Sequence, residues 1–76
     1  MTGEELARWR KNHHLTQHQL GMLLGGLSKY AVCRMEQNRR QIPLSCVFLL
    51  DLAAHPAIRK YLAGKTGVVL PESPAL

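Results

Sequence analysis

A cluster of basic side chains in the middle of the chain is the feature best suited to bind a ligand. Residues 29–40 contain four cationic side chains and one carboxylate, that of Glu36, so their local net charge is +3. The four are Lys29, Arg34, Arg39 and Arg40. Lysine and arginine donate hydrogen bonds to guanine O6 and N7 and to phosphate oxygens, so the cluster favours a polyanion, DNA first. The alternative from charge alone is a solvated basic surface that aids solubility.

The whole chain is short and basic. Its 76 residues include ten Lys and Arg against five Asp and Glu, for a net charge of +5. A chain of this length is expected to form one small domain with a modest core. The polar N-terminus is unlike a secretory signal, and no stretch reaches the ~18 apolar residues of a membrane span. We therefore expect a cytoplasmic protein without a membrane partner.

The sequence gives little support for catalytic or metal chemistry. No serine or cysteine nucleophile has a base at motif spacing, and no glycine-rich phosphate loop follows a strand. His13, His14 and His18 lie close together, but no cysteine or carboxylate with ligand spacing joins them. Cys33 and Cys46 are too few for a disulfide framework, and Cys33 is interpreted as a small helix residue rather than a redox sensor. We therefore expect no enzyme activity, no metal and no cofactor.

Two short helices are predicted to position the basic cluster. Thr16, followed three residues later by Gln19, forms a capping box, which predicts a helix that begins at Gln17. The glycine pair at residues 25–26 ends that helix, and Ser28 caps the next one. The second helix has little apolar surface, so it must present a polar face to a partner.

Further helices are predicted on both sides of this pair. A second capping box, at Thr2 and Glu5, predicts a helix over residues 3–12. Pro43 fits the first turn of a helix over residues 44–54, which is apolar on nearly every face. Because one face suffices to close the core, this helix needs a second partner.

The C-terminal part is predicted to be less regular. His55-Pro56 interrupts the chain, and residues 57–63 can form one or two helical turns that end at Gly64. Residues 64–76 are interpreted as an extended or mobile tail. Within it, residues 68–70 are candidates for an edge strand or for an arm in a dimer.

Residues spread over the two central helices match a known pattern. They are Leu15, Thr16, Gln17, Leu20, Leu24, Gly25, Ser28, Val32, Arg34 and Glu36. This pattern resembles the helix-turn-helix of the phage repressor and Cro-like (XRE-type) transcriptional regulators, over roughly residues 2–56. The resemblance implies an all-α, lambda repressor-like bundle of four to five short helices in residues 1–63. The chain departs from the family at Gly21, usually alanine, and in the turn at residues 25–27, which is one residue longer.

The resemblance also implies roles for single residues at a DNA interface. The base-reading positions match Lys29, Tyr30 and Arg34, with Ser28 close to bases or phosphate. Arg34 is suited to guanine O6 and N7, and the Tyr30 ring is suited to a thymine methyl group. The residues expected to contact phosphate are Gln17, Asn38, Arg39 and Arg40.

One ion pair is implied within the domain. Family members commonly pair an arginine at the position of Arg10 with a glutamate at the position of Glu36, which would hold the first helix on the recognition helix. The alternative is that both side chains are exposed charges, which contribute little to stability.

A homodimer is expected, because one domain of this kind covers too few base pairs to select an operator in a genome. The interface is predicted at apolar residues that are not needed to close the core: Phe48, Leu52, Ile58, Tyr61 and Leu62. In the competing interpretation, the terminal helix folds back and hides Phe48 and Leu52 inside a monomer.

Two functions remain open. The first is a sequence-specific transcriptional regulator, most simply a repressor that binds a roughly palindromic operator of its own short operon. The second is a protein-binding module, such as the antitoxin of a toxin pair, in which the helix over residues 44–54 and the tail bind a partner protein.

Overall fold

The computed structural model describes residues 1–70, which contain five α-helices joined by short loops. They are α1 (Gly3–Asn12), α2 (Gln17–Leu23), α3 (Lys29–Glu36), α4 (Leu44–Leu52) and α5 (Pro56–Thr66). These residues contain no strand, so the predicted all-α class of four to five short helices is confirmed. Within the same range, no helix has the length and apolar character needed to cross a membrane.

Side-chain caps set the first residues of the first three helices. The capping boxes at residues 2–5 and 16–19 both form, as predicted. In the second box, Thr16 Oγ1 accepts a hydrogen bond from the Gln19 N–H at 3.1 Å, and Gln19 Oε1 accepts one from the Thr16 N–H at 2.9 Å. The Ser28 hydroxyl oxygen caps α3 in a similar way. Each cap satisfies backbone N–H groups that have no partner inside the helix.

Each of the first three helices is followed, two residues after its last residue, by a residue with positive φ. These residues are His14 (φ 55°), Gly25 (φ 100°) and Asn38 (φ 58°). After α3, the Arg39 N–H donates to the Arg34 carbonyl at 2.8 Å, which is the six-to-one hydrogen bond of a Schellman motif. The motif turns the chain sharply, so the short helices can pack on one another.

The core forms where the inner faces of the five helices meet. Its largest fully buried side chains are Leu6, Leu20, Leu23, Val32, Met35 and Leu50. Trp9 lies half-buried at the edge of this core, and its ring stacks on the His13 ring with 3.9 Å between the centroids. His13 Nδ1 lies 2.7 Å from the Trp9 carbonyl oxygen, so this nitrogen carries the proton and donates it.

Three predicted helix boundaries are wrong. Pro43 is the N-cap of α4, with extended backbone, instead of a residue of its first turn. Helix α4 ends at Leu52 instead of residue 54. The N–H groups of residues 54 and 55 donate to carbonyls three residues back instead of four. The proline that follows disfavours helical backbone in the residue before it. Helix α5 continues through Gly64 to Thr66, and Gly67 stops it with left-handed backbone (φ 74°).

The segment after α5 packs on the core instead of forming the predicted tail. Val68 and Leu70 are buried, whereas Val69 between them is exposed. This packing removes two apolar side chains from water, which an extended tail would not do. Residues 68–70 do not form the predicted strand. The rest of the predicted tail, residues 71–76, lies outside the described residues.

Candidate nucleic-acid interface

Helix α3 has one buried face and one exposed face. The buried face consists of Ala31, Val32 and Met35. The exposed face consists of Lys29, Tyr30, Arg34 and Gln37, with Cys33 half-exposed beside them. The three residues predicted to read bases therefore lie together on the side of α3 that faces solvent. Ser28, also exposed, uses its hydroxyl oxygen to accept the Ala31 N–H at 3.2 Å.

Four cationic side chains lie on or just after this face. They are Lys29, Arg34, Arg39 and Arg40, all exposed and none in an ion pair with another of residues 1–70. Glu36, which offsets one of these charges in the sequence, is paired with Arg10 instead. The local charge left without a partner is therefore larger than the sequence count indicates. Such a concentration of charge attracts polyanions.

The segment after α3 forms a concave surface. Arg39, Arg40 and Gln41 line a depression of about 480 Å³ together with apolar side chains that include Met35 and Ile42. Two guanidinium groups and an amide at the same depression supply several hydrogen-bond donors. This surface can accept the oxygens of a phosphate group.

Lys29 and Tyr30 contact each other on the exposed face. The Lys29 ammonium lies over the Tyr30 ring, 5.3 Å from its centroid, within the range of a cation–π interaction. Tyr30 is nevertheless 64% exposed. A large aromatic ring held in this way is available to a ligand at little cost in side-chain entropy.

A hydrogen-bonded clamp joins α1 to α3. Arg10 Nε donates to Glu36 Oε2 at 2.7 Å and Arg10 Nη2 donates to Glu36 Oε1 at 3.1 Å, so the predicted ion pair is present and bidentate. The two side chains are only 14% and 9% exposed, so the interpretation as exposed charges is wrong. Arg10 Nη1 also donates to the Leu15 carbonyl at 3.0 Å.

Gln17 extends this clamp to α2. Its Nε2 donates to Glu36 Oε1 at 3.2 Å, so the one carboxylate holds side chains from both neighbouring helices. No local pattern in the sequence reveals this contact, since the two residues are 19 positions apart. Gln17 keeps the predicted place in the first turn of α2, and it is half-buried there.

The Asn38 side chain, predicted to contact phosphate, also makes two hydrogen bonds within the domain. Its Oδ1 accepts from the Gly3 N–H at 2.9 Å, and its Nδ2 donates to Glu4 Oε1 at 3.1 Å. A hydrogen bond from its own backbone, followed by this amide, holds the pKa of the Glu4 carboxyl below its usual range. Both polar ends of the Asn38 side chain thus join the end of α3 to the start of α1.

Gly21 lies where the turn between α2 and α3 folds back over α2. Its carbonyl accepts hydrogen bonds from the Gly26 N–H at 3.0 Å and the Leu27 N–H at 2.9 Å. A Cβ atom on Gly21 would overlap the Leu27 carbonyl oxygen. The turn between α2 and α3 therefore needs a residue without a side chain at position 21.

Helix α4 leaves a row of apolar side chains exposed. Leu44, Phe48 and Leu52, at positions i, i+4 and i+8, are 69%, 59% and 48% exposed, and we call them the α4 stripe. Helix α5 does not cover this stripe. The interpretation in which the terminal helix hides Phe48 and Leu52 inside a monomer is therefore wrong.

Two residues of the predicted dimer interface contribute to the core of the monomer. Leu62 is buried, and Ile58 is half-buried and packs against the same core. Leu62 lies on the inner face of α5, so it is not available to a partner. Tyr61, one position earlier, lies on the outer face and is exposed.

Comparison of this chain with protein-family models, curated proteins and solved structures gives no match. The candidate interface is therefore defined by its own side chains: the exposed face of α3, the basic residues that follow it and the clamp that holds α3 in place.

Proposed function

We propose that this protein is a sequence-specific regulator of transcription that binds double-stranded DNA, with α2 and α3 as a helix-turn-helix. The observation that carries the proposal is the exposed face of α3, where Lys29, Tyr30 and Arg34 lie opposite a buried apolar face. These side chains offer the donors and the apolar surface that read base edges in the major groove. The role assigned to the chain is binding, without catalysis.

Contacts with phosphate are assigned to residues that flank α3. Arg39 and Arg40 follow the helix and line a concave surface, and Gln17 lies in the first turn of α2. Such contacts set the position of the protein on the duplex but do not read its sequence. The clamp between Arg10 and Glu36 supports this arrangement, because it fixes α3 relative to α1 before DNA binds.

In its simplest form, the proposed regulator is a cytoplasmic repressor that binds an operator of its own short operon. A homodimer formed through the α4 stripe and Tyr61 would present two copies of α3 to a roughly palindromic site. The exposure of three apolar side chains in one row on α4 supports the dimer, since monomers rarely expose larger apolar patches.

The test is selection of bound duplexes from a random pool, followed by fluorescence anisotropy with the selected duplex and a scrambled one. We expect a palindrome whose half-site centres lie about 10–11 base pairs apart, bound roughly 10³-fold or more tightly than the scrambled duplex at physiological salt. Equal binding of all duplexes, governed only by salt, would identify the basic cluster as a nonspecific polyanion surface and contradict the proposal.

A second candidate function is a protein-binding module, such as an antitoxin, and the α4 stripe is the observation that favours it. The product of the neighbouring gene separates the two functions. If that product forms a stable complex with this chain, Phe48→Glu should abolish the complex and leave binding to a DNA half-site intact. A complex that survives Phe48→Glu would exclude the stripe as its contact surface.

A further inference from the structure

Tyr30 and Arg34 are neighbours on the exposed face of α3. They are four residues apart on one helix, which places their Cβ atoms about 5–6 Å from each other. The Lys29 ammonium lies over the Tyr30 ring at 5.3 Å from its centroid. Lysine thus lies against the ring, and Tyr30 nevertheless remains 64% exposed.

The chemistry of these two side chains selects different groups on base edges. The Arg34 guanidinium matches guanine O6 and N7, which it can bind with two hydrogen bonds. The Tyr30 ring matches an apolar group, and the apolar group that bases present in the major groove is a pyrimidine C5-methyl. Because their Cβ atoms are about 5–6 Å apart, less than two base steps of about 3.4 Å each, we assign the bases that they contact to neighbouring base pairs.

We infer that Tyr30 and Arg34 together read a two-base-pair step, in which a pyrimidine with a C5-methyl group lies next to a guanine. This inference rests on the proposed function and deepens it by naming the step that the α3 face recognises. Tyr30 acts through its ring, which packs on the methyl group, and its hydroxyl is not required. Lys29 positions the ring through the cation–π contact.

Single-atom changes in the selected duplex test the methyl contact. Each thymine of one half-site is replaced in turn by uracil, which lacks the methyl group but keeps every hydrogen-bonding group. At the thymine next to the guanine read by Arg34, uracil should weaken binding about fourfold, as expected for one buried methyl group. With cytosine at this position, 5-methylation should restore the same factor.

Variants of the protein assign the methyl contact to Tyr30. Tyr30→Phe should keep the fourfold preference for the methylated base, because the ring remains. Tyr30→Ala should bind the methylated and unmethylated duplexes equally. Arg40→Ala serves as the matched control, since loss of a phosphate contact should weaken binding to both duplexes and leave their ratio unchanged.

The outcomes separate this inference from the proposed function. Specific binding that is insensitive to uracil at the thymine next to that guanine would overturn the inference and leave the proposed function intact. A methyl preference lost equally in Tyr30→Phe and Tyr30→Ala would also overturn it, because the hydroxyl would then be required. If no duplex is selected from the pool, the proposed function fails, and the inference fails with it.

Discussion

Arg34 and Arg40 are both exposed arginines, but their places in the fold predict different roles. Arg34 lies on the exposed face of α3, whereas Arg40 lies in the segment that follows the helix. Arg34→Ala should cost about 1–3 kcal/mol of binding free energy on the selected duplex and relax the preference at one base pair per half-site. Arg40→Ala should weaken binding to all sequences alike and reduce the salt slope by about one per copy.

Anisotropy titrations at several salt concentrations, with the selected and scrambled duplexes, measure both effects. If Arg34→Ala weakens binding to the two duplexes by the same factor, Arg34 contacts phosphate and not a base. A salt slope that Arg40→Ala leaves unchanged would exclude Arg40 as a phosphate contact.

Gly21 and Gly64 are both helical glycines, yet alanine should have opposite effects at the two positions. At Gly64 no atom lies within 4 Å of a new Cβ, so Gly64→Ala should raise the free energy of unfolding by up to about 1 kcal/mol through helix propensity. At Gly21 the Leu27 carbonyl oxygen occupies that space, so Gly21→Ala should destabilise by about 1–3 kcal/mol despite the same gain in propensity.

Urea unfolding followed by circular dichroism compares the two glycine variants directly. Gly64→Ala is the control for propensity, since it makes the same chemical change in open space. If Gly21→Ala stabilises the protein as much as Gly64→Ala does, the turn does not press on α2 and a glycine is not required at position 21.

The clamp between α1 and α3 is predicted to stabilise the arrangement of the helices. Arg10 and Glu36 are mostly buried and share two hydrogen bonds, so removal of one partner leaves a poorly solvated charge. Arg10→Met and Glu36→Gln should each cost about 1–3 kcal/mol of unfolding free energy, above the ~0–1 kcal/mol of an exposed pair. Thermal and urea unfolding of both variants and of the double variant measure this.

The double variant of Arg10 and Glu36 measures the interaction energy between the two side chains. Because it leaves no unpaired charge, it should be clearly less destabilised than the sum of the two single variants. Effects that are additive and close to zero would mean that the pair forms without contributing to stability.

The starts of the first three helices could be predicted because their signals are local. A capping box involves side chains and N–H groups within one turn, so Thr2 and Thr16 indicate their helices without knowledge of the fold. The end of α5 could not be predicted in this way. Gly64 has the features of a stop residue in the sequence, but the helix continues past it to Thr66, and Val68, just beyond the helix, is buried in the core.

Contacts between residues far apart in the sequence are the part of the candidate site that could not be predicted. The amide of Asn38 looks like a surface group in the sequence, but its partners Gly3 and Glu4 lie 35 and 34 positions away. The exposure of Lys29, Tyr30 and Arg34 could be predicted, because the apolar spacing of α3 defines its buried face. For Leu62 and Tyr61, the rotation of α5 on the core decides which side chain is buried.

Within residues 1–70, the domain exposes two surfaces of different chemistry. One is the basic surface around α3, and the other is the α4 stripe; Tyr61 on α5 is a further exposed apolar side chain. A single basic surface reads only a few base pairs, so selective binding in a genome requires a second copy. The stripe offers the means, since its burial against an identical stripe would remove apolar surface from water in both copies.

We therefore predict that the chain sediments as a species of about twice its 8.5 kDa mass at micromolar concentration. Phe48→Glu should sediment as a monomer, because a charge at the centre of the α4 stripe would have to be buried without a partner. Met22→Glu is the matched control, since it places the same charge on an exposed apolar side chain of α2 and should leave the dimer intact.

The proposed dimer also predicts how the chain binds a palindromic duplex. Two-fold symmetry would place the two copies of α3 about 34 Å apart on one side of the duplex, so both half-sites would be bound at once. Phe48→Glu should then retain binding to an isolated half-site but lose the gain in affinity that the full palindrome gives to the wild type. A wild-type chain that sediments as a monomer, both free and on the palindrome, would contradict the dimer and leave the α4 stripe to a different partner.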